Sequence, residues 1–409
     1  MMHQSAARDT VCEQRSGRSA PALLQECSAV SRRLGGDRYL TLHGGGNTSV
    51  KVENTIFIKG SGFNLATITA EGFSALRRVD LDRMLAEDPL SDVEMVDGFR
   101  AALLDGSMPS PSIEALLHNL LPFKAVLHTH ADAVVSLTNT VHGLDLPRKL
   151  FGNRVLYLPY CKPGFELAKR VRDLWSAEAT PETEGIVLAH HGLFTFADDI
   201  GHAYNSHLNL VHLAAEYIQE RTGVRFQDDV EETYCSSADE DPLQEELGAI
   251  AAECSAAAGT PTLALAVSSP AIRRFVARAD LLQITQRGPA TLEHVIHTKR
   301  VPLLASGVSG ISGISAYVDA YMEYFTRLSA GVTGHRLAML SPEPRVILHP
   351  QLGLVATGRS AERAGITLDI YRHTMRIIEA AEALGGYLTI SEADAFDIEY
   401  WELEQRKLR

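Results

Sequence analysis

The sequence predicts an α/β protein built from two units. Strand-like apolar runs alternate with helical periodicities on both sides of an acidic, poorly periodic stretch, Asp228 to Glu246. The chain has 409 residues, enough for two or three domains at about 150 residues each. Hydrophobic residues make up 45% and charged residues 22%, the balance of a soluble globular protein that can bury a sizeable core. The expected division is a flexible tail over 1–20, a first unit over 21–227, an acidic linker over 228–246 and a second α/β unit over 247–409.

In the first unit, Ala22 to Leu34 is helical, with Leu23, Leu24, Cys27 and Val30 apolar and Gly35-Gly36 as its stop. The loop His43 to Ser49 follows, then strands Val50–Val52 and Thr55–Lys59, which form a hairpin before Gly60-Ser61-Gly62. Ser110 is the expected N-cap of a helix with Pro111 in its first turn and Ile113, Leu116, Leu117 and Leu120 on its apolar face. Lys124–His130 and Gly185–His190 read as strands, and a long helix runs from Asp198 to about Thr222. In the second unit, Thr262–Val267 is strand-like and Ala271–Ala279 helical. Arg345–Leu348 and Leu354–Thr357 form a hairpin, followed by a helix over Ser360–Ala383. Gly307, Gly310 and Gly313 are not spaced as a dinucleotide fingerprint and read as a mobile loop.

Lys plus Arg number 38 against 51 Asp plus Glu, a formal charge of −13. That argues against a nucleic-acid partner or an anionic membrane, both of which need a basic face. Cys12, Cys27, Cys161, Cys235 and Cys254 include no C-x-x-C pair, a poor framework for disulfides or zinc thiolates. The polar start is no secretory signal and no run is long and apolar enough for a membrane helix, so the expected place is the cytoplasm.

Chemistry concentrates in the histidines. Strand side chains alternate, so His128 and His130 project from one face and are spaced to share a metal. His190-His191-Gly192 closes another apolar strand. His191, beside the permissive Gly192, is the expected third ligand, with His190 facing the other way. Three neutral imidazoles with an open position describe a catalytic rather than a structural zinc site. Glu114, in the first turn of its helix, is the candidate proton acceptor. The loop His43 to Ser49 offers backbone N–H groups and the side chains of Asn47, Thr48 and Ser49, a nest suited to phosphate or carboxylate. Ser61-Gly62 and the serines Ser110 and Ser112 are expected to converge on the same anion. His202, His207, His212, His294 and His297 read as structural.

HGGGNTSVK, FIKGSGFNLATI, PSPSIEALLH, VLHTHADA and GIVLAHHGLF, in that order over residues 22 to about 225, resemble the class II aldolase/adducin family. The resemblance implies an α/β/α domain with a mainly antiparallel central sheet. It implies a zinc site, or a manganese or cobalt one, at His128, His130 and His191, with Glu114 moving protons beside the substrate carbonyl. It places substrate contacts at Gly46, Asn47, Ser61, Gly62 and Ser112. RGPATLEHVIHTKR, PRVILHPQLGLVATG and FDIEYWELEQRKL are similar to the middle of long bacterial rhamnulose-1-phosphate aldolase/dehydrogenase fusions, without their dehydrogenase half, so no NAD is expected. The implied activity is cleavage of a ketose 1-phosphate, or a related sugar, to a dihydroxyacetone-phosphate-like fragment and a small aldehyde. Relatives run epimerisation or dehydration in the same pocket, and adducin-like relatives keep the fold as a non-catalytic interaction module. The implied assembly is a homo-oligomer, a tetramer with sites at subunit interfaces. Two departures stand out. One residue, Ile113, separates Ser112 from Glu114 where the short aldolases have a serine pair, and the segment LDLPRKLFGN lacks the family's donor tyrosine, the next ones being Tyr157 and Tyr160.

Overall fold

The computed structural model describes residues 19–87, 89–227, 232–236, 244–305, 313–332 and 336–405. The expected tail before residue 19 and the glycines Gly307 and Gly310 lie outside these residues.

The first domain is built on seven strands: β1 (Asn47–Val52), β2 (Thr55–Lys59), β3 (Phe73–Arg77), β4 (Ala125–Thr129), β5 (Val155–Leu158), β6 (Gly185–Leu188) and β7 (Gly192–Ala197). They lie in the order β3-β2-β1-β4-β7-β6-β5, and every neighbouring pair is antiparallel except β5 with β6. Period-two alternation splits each strand between two cores. Ile56, Ile58, Val126, Ile186 and Leu188 face a layer containing helices Asp92–Ala102, Ala115–Leu120 and Phe165–Glu178. Phe57, Leu127 and Val187 face the opposite layer of helices Ala20–Gly36, Asp132–Thr138 and Ile200–Thr222. The result is the expected α/β/α domain with a mainly antiparallel sheet.

The second domain carries β8 (Thr233–Ser236), β9 (Leu263–Ser268), β10 (Leu303–Leu304), β11 (Val346–His349) and β12 (Gly353–Gly358), in the order β10-β11-β12-β9-β8. Only β10 with β11 is parallel. The expected hairpin is present as β11–β12. The long helix is Ala361–Ala383, with the Ser360 hydroxyl accepting from the Arg363 N–H as its cap. This helix lies between the domains. Ile377 and Ile378 enter the second core, Ala380 enters the first, and Val135 of the first domain reaches into the second.

Three local expectations are corrected. Within the stretch expected to be linker, Thr233–Ser236 pairs with β9, and helix Gln244–Ala258 has already begun by residue 244. A short, polar edge strand has no apolar alternation to distinguish it from a loop. The helix expected from Ser110 begins only at Ala115. Ser110 to Ser112 instead runs extended beside the β2 end, with Ser61 N–H donating to Ser110 O (2.7 Å) and Ser112 N–H to Lys59 O (3.0 Å). Those two bonds and the antiparallel bridge of Pro111 with Gly60 hold the segment extended, which accounts for the delay. Asn47, Thr48 and Ser49, expected in a loop, are the first residues of β1.

Candidate metal centre

Antiparallel pairing brings the end of β4 and the starts of β1 and β7 together at one end of the central strands of the first sheet. Asn47 lies opposite His128, and His128 opposite Phe194. The His128 ring stacks on Phe194 at 3.9 Å between centroids, 12° from parallel, and its Nδ1 lies 3.1 Å from Leu193 O. A carbonyl only accepts, so Nδ1 carries the proton and Nε2 presents a lone pair. His130 follows on the same face, as period two requires. The turn from β6 to β7 supplies the third ring. His190 takes φ 58° and turns its Nδ1 to Asn139 Oδ1 at 2.9 Å, so it does face away. A Cβ on Gly192 would stand 2.2 Å from Thr129 O. Only glycine therefore lets β7 start this close to β4 and set His191 beside the pair.

The candidate ligand atoms of His128, His130 and His191 all lie within 4.8 Å of one another. His128 Nε2 and His130 Nε2 are 3.1 Å apart. The Glu114 carboxylate stands over them, Oε2 3.6 Å from His128 Nε2 and Oε1 3.6 Å from His191 Nε2. Asn47 Nδ2 donates to Glu114 Oε2 (2.6 Å) and to Ser112 Oγ (3.1 Å), and Ser112 Oγ also accepts from the Glu114 N–H (3.3 Å). Burial holds the His128 and His191 pKa values well below the ordinary histidine value, so both rings are neutral.

The donor set fits a divalent cation. Neutral imidazoles offer lone pairs into one small space, where two facing nitrogens repel unless something positive lies between them. Glu114 Oε1, Asn47 Oδ1 and His191 Nδ1 are buried without a hydrogen-bond partner. Each such orphan costs roughly 1–3 kcal/mol. Their concentration here marks a place built for something besides protein.

Of the expected substrate contacts, the structure joins Asn47 and Ser112 to the centre through Glu114. Glu114 itself is the N-cap residue of Ala115–Leu120, one step earlier than its expected first-turn position. Gly46 has φ 67°, and a Cβ there would meet His128 O at 2.6 Å, so its close packing on β4 already requires glycine. Ser61 and Gly62 occupy an exposed turn beside Ser110. Thr48 and Ser49 are fully buried, bonded to Ser31 (2.6 Å) and His118 (2.8 Å), and are not free donors. His207 is structural as expected, its two nitrogens held by Thr129 (2.7 Å) and Thr195 (2.9 Å). The Tyr157 hydroxyl donates to Gly152 O (2.8 Å) and Pro147 O (3.2 Å), and Tyr160 packs against the cluster of Leu292, Val295 and Trp401.

Sequence reasoning missed the second domain's share. Glu293 Oε2 lies 2.8 Å from His130 Nδ1. Glu293, His294 and His297 line a cleft with His43, His130 and Asp132 of the first domain. The run Glu293-His294-x-x-His297 was visible, but nothing in its neighbourhood shows which surface it meets.

The N-terminal domain description of class II aldolase and adducin matches residues 25–218 of the chain, and that of the class II aldolase second domain matches residues 242–408. The Bacillus subtilis protein named uncharacterized oxidoreductase YuxG is 31% identical over 95% of this chain and 58% of its own length. The chain thus spans less than two thirds of that relative. Among solved structures, the N-terminal class II aldolase domain of a Thermoplasma acidophilum protein is 39% identical, covering 52% of this chain and all of its own, with a TM-score of 0.45. L-fuculose-1-phosphate aldolase from Thermus thermophilus is 21% identical, covering 47% of this chain and 93% of its own, with a TM-score of 0.33. No helix among the described residues is long and apolar enough to cross a membrane. With both domains matched in order and the motif residues gathered at one end of the central strands, the chain belongs to the class II aldolase/adducin family.

Proposed function

We propose that this protein is a metal-dependent aldolase. It cleaves a ketose 1-phosphate, or a related sugar, to a dihydroxyacetone-phosphate-like fragment and a small aldehyde. The observation that carries the reading is the buried Glu114 carboxylate, held 3.6 Å from two imidazole nitrogens with one oxygen unpartnered. A carboxylate kept there for structure alone would be satisfied.

His128, His130 and His191 would hold the cation through Nε2. A bound divalent cation supplies Lewis acidity, drawing electrons from a ketose carbonyl so that the neighbouring carbon–carbon bond can break without a Schiff-base lysine. Zinc is the expected ion, with manganese or cobalt as alternatives. Breaking the bond turns the hydroxyl on the far carbon into the aldehyde, releases its proton and leaves the electron pair on the carbon next to the carbonyl. The Glu114 carboxylate would take up that proton and hand it to that carbon, and would remove it from there in the synthetic direction. Asn47 Nδ2 and Ser112 Oγ fix the carboxylate by binding Oε2 and the backbone N–H, which leaves Oε1 for the substrate. Ser61 and Gly62 on their exposed turn, with the backbone around Gly46, are the candidates for the anionic end. Lys59 Nζ, which donates to Gly44 O at 2.8 Å, places a positive charge beside that loop.

The deciding experiment combines dihydroxyacetone phosphate with a panel of aldehydes, with zinc, manganese or cobalt and again with chelator. Metal-dependent formation of an aldol product is expected. Absence of any product from the metal-loaded protein, or equal product in chelator, would overturn the proposal.

A further inference from the structure

We infer that Glu293 of the second domain is a positioning residue for the metal centre. It sets the tautomer and ring orientation of His130, so the centre is complete only with both domains in place. The inference rests on reading the three histidines as metal ligands.

A ligating imidazole is steadied through its far nitrogen, and two of the three candidate rings have such a partner, while His191 Nδ1 has none. Leu193 O holds His128 at 3.1 Å. For His130 that partner is Glu293 Oε2, at 2.8 Å from Nδ1. Both side chains are nearly buried, 12% and 11% exposed, so water competes little for the contact. A carboxylate accepting from Nδ1–H fixes the proton there, leaves Nε2 as the lone pair 3.1 Å from His128 Nε2, and makes that nitrogen more basic.

The first domain makes room for this visitor. A Cβ on Gly45 would lie 2.9 Å from Glu293 Oε2 and 3.3 Å from His130 Nδ1, and 3.0 Å from Leu42 O. The middle glycine of the His43-Gly44-Gly45-Gly46 loop is therefore accounted for by the cross-domain pair. Glu293 is itself firmly placed. It immediately precedes the short helix His294–Thr298, whose His294 Nδ1 lies 3.1 Å from Thr374 Oγ1 on the helix between the domains.

The test measures divalent-metal affinity of the full chain by competition with a chromogenic chelator, together with the visible spectrum of the cobalt-loaded protein. Glu293→Ala should bind ten- to a hundredfold more weakly than wild type and show an altered cobalt spectrum. Glu293→Gln, whose amide oxygen can still accept from Nδ1–H, should recover part of that loss. Lys162→Ala removes another contact between the domains, Lys162 Nζ to Asp397 Oδ2 at 2.8 Å, which touches no candidate ligand. It should bind metal as wild type does. The inference is overturned if Glu293→Ala binds within twofold of wild type, if the two Glu293 variants are equally weak, or if Lys162→Ala is as weak as Glu293→Ala. A wild-type protein that binds no divalent metal would instead bring down the functional reading beneath it.

Discussion

Two buried polar clusters, one in each domain, have opposite bookkeeping. Around Glu399 in the second domain, polar groups answer one another. Tyr321 donates to Oε1 (2.8 Å), Tyr324 to Oε2 (3.2 Å), and the Tyr321 and Tyr400 hydroxyls meet at 2.8 Å. Lys299 Nζ sits 3.7 Å from the Tyr321 ring centre and donates to Ser341 O. Around Glu114, three buried polar atoms lack partners and two imidazole nitrogens face each other. Both clusters are rich in titratable groups, and burial shifts pKa values in both. Satisfaction, not burial or charge, separates a network that braces the fold from one that awaits a ligand.

The contrast breaks most visibly at His130. His130→Ala is expected to lose stoichiometric metal and all carbon–carbon cleavage, checked by metal analysis and by the aldol assay. Normal turnover of this variant in metal-free buffer would erase the distinction between the clusters. Next comes Glu114→Gln, which keeps shape and removes the base. It should lower kcat by about 10²–10⁴-fold while metal content stays stoichiometric and melting temperature does not fall.

Glu399→Ala should do the reverse. Leaving the Tyr324 hydroxyl without its acceptor, while Tyr321 keeps only the Tyr400 hydroxyl, costs about 1–3 kcal/mol, read by chemical denaturation, with metal affinity unchanged. The smallest effect concerns histidines that belong to the satisfied class. Burial lowers His190 to about 4, and His207 and His294 to about 3, from an ordinary 6.5. Below pH 6.5 the unfolded chain takes up protons that the folded one refuses, so stability falls as pH drops toward 4. The metal-free protein should melt a few degrees lower at pH 6 than at pH 7.5. A flat profile would mean these rings are not held neutral.

What was legible in the sequence follows from the range of the signals. His128 and His130 could be paired because strand alternation acts over two residues, and Gly192 betrayed the turn that aims His191. The strands β9, β11 and β12 and helix Ala361–Ala383 were visible from apolar period and caps. Ser110 misled because its capping chemistry was outweighed by backbone pairing of residues 110–112 with the β2 end, a contact with residues about fifty positions earlier that no local pattern records. Thr48 and Ser49 read as loop donors because a polar strand start, buried against Ser31 and His118, has a loop's composition. Glu293 was illegible for a different reason. Its partner lies in another domain, and no local pattern records which surfaces meet.

The helix Ala361–Ala383 also decides how these domains move. It gives Ala380 to one core and Ile377 and Ile378 to the other, while His373 Nδ1 grips Asp132 Oδ2 at 2.5 Å. Domains that share a structural member in this way have no free hinge between them. Opening the cleft at His130 by swinging one domain from the other would pull Ala380 out of the first core and Val135 out of the second. Those contacts oppose domain closure, so the less costly route into the cleft is through side chains and loop tips at its rim, a class of motion that runs in nanoseconds to microseconds.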